Sequence, residues 1–149
     1  MSSARESAAA EIAQRAENFR RVREAHQSET AEDYVELIAE LIDRHGVARV
    51  GELAERFGVT SATVNNTLRR LQRHELVRIE PYRDVALTPA GRQLAREARE
   101  RHELVRSFLI AIGVDPETAE ADAEGIEHHV SHRTLAAFRR FVKRQPGAG

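Results

Sequence analysis

The sequence predicts a mostly α-helical protein in two halves: an N-terminal winged helix-turn-helix, then a helical dimerisation and metal-binding unit. Three observations carry this. Apolar residues recur at helical spacing along several long stretches. Two short helical patterns flank a turn glycine, Gly58, and two short β patterns follow them directly. A chain of 149 residues suits one compact domain or two small ones sharing an interface.

Residues 1–28 are rich in Ala, Arg, Glu and Ser with little apolar face, and read as a flexible or partner-dependent arm. Glu29 to Arg44 is the first helix, with Tyr34, Leu37, Ile38, Leu41 and Ile42 at i, i+3, i+4, i+7, i+8; Gly46 ends it. A short helix then carries Leu53, Ala54 and Phe57 inward, Gly58 supplies a tight turn, and Thr60 caps the next helix. That helix, Ser61 to about His74, buries Val64, Leu68 and Leu71. Leu76–Glu80 and Asp84–Thr88 form two strands joined by Pro81-Tyr82-Arg83, the wing. Pro89 to Ile112 is a long helix with the stripe Leu94, Ala98, His102, Val105, Leu109, Ile112, stopped by Gly113. Pro116 opens a helix running to about Val130, and Ser131 caps a last one bearing Leu135, Ala136, Phe138 and Phe141. The expected domains are thus 1–28, 29–90 and 91–149.

Composition bounds the function. Cysteine is absent, which excludes disulfides and thiolate metal sites and fits the cytoplasm. No run of about 18 apolar residues predicts a membrane span, and the N-terminus lacks the apolar core of a secretory signal. The net charge of −1 is uninformative, but its distribution is not. From Ser61 to Arg83 five arginines stand against two glutamates; from Asp115 to Ser131 there are six acids and no Lys or Arg. One part suits phosphates and another suits cations.

Reading a duplex requires a helix in the major groove, small or polar at its N-terminal half and cationic beyond. Ser61, Ala62, Thr63, Asn65 and Asn66 suit base edges, and asparagine pairs bidentately with adenine. Arg69, Arg70, Arg73 and, at the wing, Arg83 suit phosphates. A helical hairpin that merely packs would show the same inward residues but leaves the Asn- and Arg-bearing face without a purpose.

Six ligand-type side chains lie in three separated stretches. Asp33 and Glu36 flank the stripe of the first helix, His102 interrupts that of the long helix, and Glu124, Glu127 and His128 stand at i, i+3, i+4. Singly, each has an ordinary reading: a helix-terminal acid, a satisfied core histidine, a solvated face. Jointly, four converging carboxylates carry about −4, a charge too costly to bury unpaired. Two divalent cations would neutralise it, and oxygen and imidazole donors favour Mn²⁺, Mg²⁺ or Fe²⁺.

These residues carry a resemblance. Glu32-Asp33-Tyr34-Val35-Glu36, Arg101-His102-Glu103-Leu104 and Asp122-Ala123-Glu124-Gly125-Ile126-Glu127-His128-His129-Val130-Ser131, with the winged helix between them, resemble the manganese transport regulator branch of the diphtheria-toxin-repressor family. The resemblance covers about Ala31 to Phe141. It implies that Asp33, Glu124, Glu127 and His128 hold one Mn²⁺, and that Glu36, His102, Glu124 and Glu127 hold a second. His129 reads as supporting rather than ligating. Iron-sensing relatives have Met where Asp33 stands and Cys where Glu124 stands, and commonly add an SH3-like domain for which this chain is expected to have no room. The longer arm resembles the enterobacterial type.

The implied function is a cytoplasmic, Mn²⁺-activated homodimer that binds a palindromic duplex operator and represses manganese uptake genes, with no membrane or organic substrate involved. Metal would close the joint between the halves and set the two recognition helices about 34 Å apart. An iron-responsive member of the family (Fe²⁺ in the same centre) and a metal-independent winged-helix regulator are the alternatives. An enzyme is not expected, because His102-Glu103-Leu104-Val105-Arg106 lacks the second His of H-E-x-x-H and no nucleophile–base set remains.

Overall fold

The computed structural model describes residues 2–146; of residues 2, 21–27 and 83 it describes the backbone alone. Six α-helices and one small sheet follow one another as α1 Ser2–His45, β1 Ala48–Arg49, α2 Val50–Phe57, α3 Ser61–Arg73, β2 Val77–Ile79, β3 Asp84–Leu87, α4 Pro89–Ala111, α5 Pro116–Ile126 and α6 His132–Lys143. Glu127–His129 is a single 3-10 turn, and Pro81–Arg83 is a tight turn in which Tyr82 takes φ 67°.

The stretch expected as an arm is helical from Ser2 and continuous with the first core helix. α1 runs unbroken from Ser2 to His45, about 66 Å at 1.5 Å per residue. Ala, Glu and Arg are strong helix formers, and neither Gly nor Pro occurs before Gly46. Its N-terminal part packs on nothing among the described residues: Ile12 and Phe19 are 69% and 66% exposed. Local pairs such as Arg20 with Glu17 at 2.7 Å line it instead.

From residue 31 onward α1 becomes a core element. Tyr34, Val35, Ile38 and Leu41 pack with Leu53 and Ala54 of α2, Val64, Leu68 and Leu71 of α3, Val77, Val85 and Leu87 of the sheet, and Ala95 of α4. Tyr34 stacks on Phe57 at 4.4 Å. The turn between α2 and α3 forms as expected: Gly58 takes φ 65°, and the Thr60 hydroxyl accepts from the Thr63 amide at 3.1 Å. The wing is antiparallel in the order β1-β3-β2, with Ala48 opposite Val85 and Val77 opposite Leu87. The two-residue β1 was not anticipated, being too short to show a period.

A second, smaller core joins Val105, Ala123 and Leu135, with Phe138 stacked on Phe108 at 3.9 Å. Ile112, expected in the α4 stripe, is 52% exposed because α4 ends one residue before it.

Thr88 ties the wing to α4: its hydroxyl accepts from the Gly91 amide at 3.0 Å and donates to the Glu75 carbonyl at 2.6 Å. A Cβ at Gly91 would lie 2.0 Å from the Leu76 carbonyl oxygen, a backbone atom that cannot swing aside. Gly91→Ala is therefore expected to destabilise the protein by about 1–3 kcal/mol, seen as a lower melting temperature, with the wing detached from α4.

Candidate metal centre and nucleic-acid interface

α1 and α4 run antiparallel, Glu32 meeting Arg101 at 2.9 Å while Asp43 and Arg92 line a shared cleft further along. Between them and α5 the acidic stretch folds inward. The expected helix to about Val130 instead stops at Ile126 and tightens into the turn Glu127–His129. Val130 is extended and Ser131 caps α6, so the α-helix has no room to continue. Glu124 thus lies on α5 itself and Glu127 and His128 on the turn that follows it. The tighter turn buries the neighbours Glu127 and His128 together, their side chains 0% and 1% exposed. Glu124 sits above them on α5, with 58% of its side chain exposed.

Glu127 is the centre. Its Oε1 lies 3.4 Å from His128 Nε2 and its Oε2 lies 3.5 Å from His102 Nδ1. Asp33 Oδ1 reaches the same His128 Nε2 at 3.3 Å, and Glu124 Oε1 the same His102 Nδ1 at 3.6 Å. Two donor groups result, one of His128 with Asp33 and one of His102 with Glu124, joined by one carboxylate. Glu36 lines the cleft of about 550 Å³ between α1 and α4, close enough to Glu124, Asp33 and both histidines for their charges to act on it. Five of the six expected donors, Asp33, His102, Glu124, Glu127 and His128, thus meet through pairs 3.3–3.6 Å apart, and Glu36 lines the neighbouring cleft.

Both Glu127 oxygens, His102 Nδ1 and His128 Nε2 are buried with no hydrogen-bond partner among the described residues. Buried polar atoms are normally satisfied. Four orphaned electron-pair donors, all hard or borderline and directed at one another, fit a divalent cation. The outer nitrogens are held. His128 Nδ1–H donates to Glu32 Oε2 at 2.5 Å, and His102 Nε2–H to Glu120 Oε1 at 2.9 Å. Such acceptors set which ring nitrogen faces a metal. Arg101 and Arg106 in turn hold Glu32 and Glu120, at 2.9 and 2.8 Å.

Sequence reasoning missed Glu32, Arg101 and Glu120; the rule that an inward histidine needs an acceptor for its other nitrogen would have prompted the search. It also missed Glu29, one turn before Asp33. Ligand atoms of Glu29, Asp33 and His128 all lie within 4.8 Å of one another. His129, read as supporting, pairs with Glu29 at 3.4 Å.

Electrostatics follow the crowding. Burial pushes Glu127 up, and the charges of Glu124 and Glu36 add to this; the two histidines oppose it, leaving a value of about 7. Burial pulls His128 down, but its contacts with Asp33 and Glu32 outweigh that and raise it to about 10. Burial lowers His102 too, yet Glu120, Glu127 and Glu124 raise it overall. Glu36 is raised by burial and by Glu124, whereas Glu32, despite burial, is lowered by His128 and Arg101.

On the other half, α3 exposes Ser61, Ala62, Thr63, Asn66, Arg69 and Arg73, with Asn65 half-buried at the edge of that face. Thr63 shares its hydroxyl with Thr60 at 3.0 Å. Arg70 departs from the group: it lines a cleft with Ser28, Ala31 and Glu32 of α1. The Arg83 side chain lies outside the described residues; its neighbour Tyr82 is 96% exposed at the wing tip.

A winged helix joined through α1 to a helical unit holding an oxygen- and imidazole-lined centre defines a metal-dependent transcription regulator. Comparison with known proteins agrees. Residues 26–85 match the iron dependent repressor N-terminal DNA binding domain, and residues 88–145 the iron dependent repressor metal binding and dimerisation domain. The chain is 50% identical over 133 residues to the transcriptional regulator MntR of Escherichia coli O6:H1, covering 89% of this chain and 86% of that one. It is 42% identical over 104 residues to the HTH-type transcriptional regulator MntR of Listeria monocytogenes, covering 70% and 73%. Among solved structures it resembles a manganese-dependent transcriptional repressor in complex with manganese (29% identity, TM-score 0.67) and the manganese regulator SloR (26%, TM-score 0.67). Those alignments cover 77% of this chain but only 53% and 54% of those chains.

The chain belongs to the diphtheria-toxin-repressor family, in its manganese transport regulator branch. It is a DNA-binding transcriptional regulator with a metal-binding dimerisation domain, not an enzyme. No helix among the described residues is long and apolar enough to cross a membrane.

The folded protein keeps protons that the unfolded chain would release, since Glu127 stands near 7 against 4.5 and His128 near 10 against 6.5. Their contribution to stability is complete below those unfolded values and is lost as pH rises through the folded ones. Chelator-treated protein should therefore melt at a falling temperature from about pH 4.5 to about pH 10, and Glu127→Gln should melt higher than wild type at the alkaline end. A flat profile in both proteins would contradict this charge assignment.

Proposed function

We propose that the chain is a cytoplasmic, Mn²⁺-responsive repressor of manganese uptake genes, acting as a homodimer on a palindromic operator. The observation that carries it is the fully buried Glu127 carboxylate, flanked on either side by an imidazole with an unsatisfied nitrogen. We assign Asp33, Glu124, Glu127 and His128 to one ion and Glu36, His102, Glu124 and Glu127 to a second. A bound divalent ion supplies the positive charge that lets these carboxylates share one buried volume. The names of the E. coli and Listeria relatives and the manganese-bound structural neighbour support Mn²⁺ as that ion.

The chain's own residues supply the coupling. Asp33 and Glu36 belong to α1, whose other face is the core of the DNA-reading half; His102, Glu124, Glu127 and His128 belong to the dimerising half. Drawing the two sets together fixes the tilt of α3 relative to the dimer axis. Linkage of this kind is typically worth about 1–3 kcal/mol and acts equally in both directions. In the operator complex, Ser61, Ala62, Thr63, Asn65 and Asn66 face base edges, while Arg69, Arg73 and the wing with Arg83 meet phosphates. Arg70, turned to α1, contributes less. The working division is residues 29–90 for DNA and 91–149 for dimer and metal, with α1 spanning both.

Fluorescence anisotropy on a candidate uptake promoter, titrated with Mn²⁺, Fe²⁺, Zn²⁺ and chelator, tests this. Mn²⁺ should raise affinity and chelator should abolish the gain; binding indifferent to chelator would refute the reading. Glu124→Ala should lose the Mn²⁺ response while keeping its circular dichroism spectrum. Arg73→Ala should weaken binding to all duplexes alike and reduce the slope of log K against log salt by about 1.

A further inference from the structure

We propose that Glu29 is a further metal ligand, a seventh side chain closing the half of the centre built on Asp33 and His128; this rests on the binuclear reading above. Glu29, Asp33 and Glu36 stand at i, i+4 and i+7 of α1 and fall in line on the face turned from the core. Ligand atoms of Glu29, Asp33 and His128 already lie within 4.8 Å of one another. Donors about 2.0–2.2 Å from a divalent ion are separated by at most about 4.4 Å across it, so these three stand a small side-chain adjustment from chelation. The second observation is independent of the acids. His128 Nε2, on a side chain 1% exposed, is aimed into this triangle with no hydrogen bond of its own among the described residues.

Two features position Glu29 for this. His129, the last residue of the Glu127–His129 turn, pairs with the Glu29 carboxylate at 3.4 Å. The unbroken helix over residues 2–28 places Glu29 in the interior of α1. A helix starting at Glu29 would leave it in a first turn whose amides lack partners. The long N-terminal segment thus gains a role: it presents Glu29 rigidly. An added carboxylate oxygen enlarges the coordination shell, which suits a hard ion taking more ligands than tetrahedral Zn²⁺.

The test is calorimetric titration of metal-free full-length protein with Mn²⁺ and, separately, Zn²⁺, comparing wild type with Glu29→Gln, His129→Gln and Asp33→Ala. Glu29→Gln should weaken one of the two Mn²⁺ steps by about tenfold or more, leave the other unchanged and affect Zn²⁺ less. Metal-free melting curves should show the variant folded. Wild-type Mn²⁺ binding in Glu29→Gln, with Asp33→Ala impaired, would overturn the proposal while sparing the binuclear reading. Unimpaired binding in both would sink the two together. His129→Gln reproducing the whole Glu29→Gln loss would also overturn it, by showing that Glu29 only fastens α1 to the turn.

Discussion

One buried carboxylate governs this protein. Glu127 sits between His102 and His128 with neither oxygen hydrogen-bonded among the described residues, and around it Asp33, Glu36 and Glu124 add further acids. Folding brings together groups that repel and that lose their hydration in doing so. Without a cation the arrangement is relieved by protons, as the upward displacement of Glu127 and Glu36 shows. The interior there holds buried acids and imidazoles whose facing atoms lack hydrogen-bond partners among the described residues, a setting that suits a positive charge.

α1 serves both halves at once. One face, Tyr34, Val35, Ile38 and Leu41, is core for the winged helix; the opposite side carries Glu32, Asp33 and Glu36 to the dimerising half. The Glu32–Arg101 and Glu32–His128 contacts already clasp α1 to α4 and to the Glu127–His129 turn. The candidate ligands and the core on which α3 packs therefore share one continuous segment of α1. Packed cores shift between discrete arrangements rather than bending continuously, which is what a switch requires.

Much of this was legible in the residues. Helical periods placed α1 from Glu29 on and α4 correctly, Gly58 and Thr60 marked the turn before α3, and Ser131 marked α6. The six candidate donors stood out in the residues because charged or imidazole groups interrupt or flank apolar stripes. Other features were not. The end of α5 at Ile126 is not legible from Gly125, which lies inside the helix; the stop comes with Val130 and Ser131 beyond. Composition argued for a separate arm, yet propensity without a breaker extended α1 through it. Arg70 looked like its neighbours Arg69 and Arg73, and only packing turned it toward α1.

The sequence by itself determined the classes of element, their order and the inventory of donors, because helical periods, turn glycines, caps and side-chain chemistry are local properties. The tertiary structure decided which donors face one another and which hold the outer nitrogens of the histidines. Glu32, chemically equivalent to Asp33 beside it, faces the back of His128, while Asp33 faces the front; one step along a helix is a rotation of about 100°, and only the partner surface tells the two directions apart.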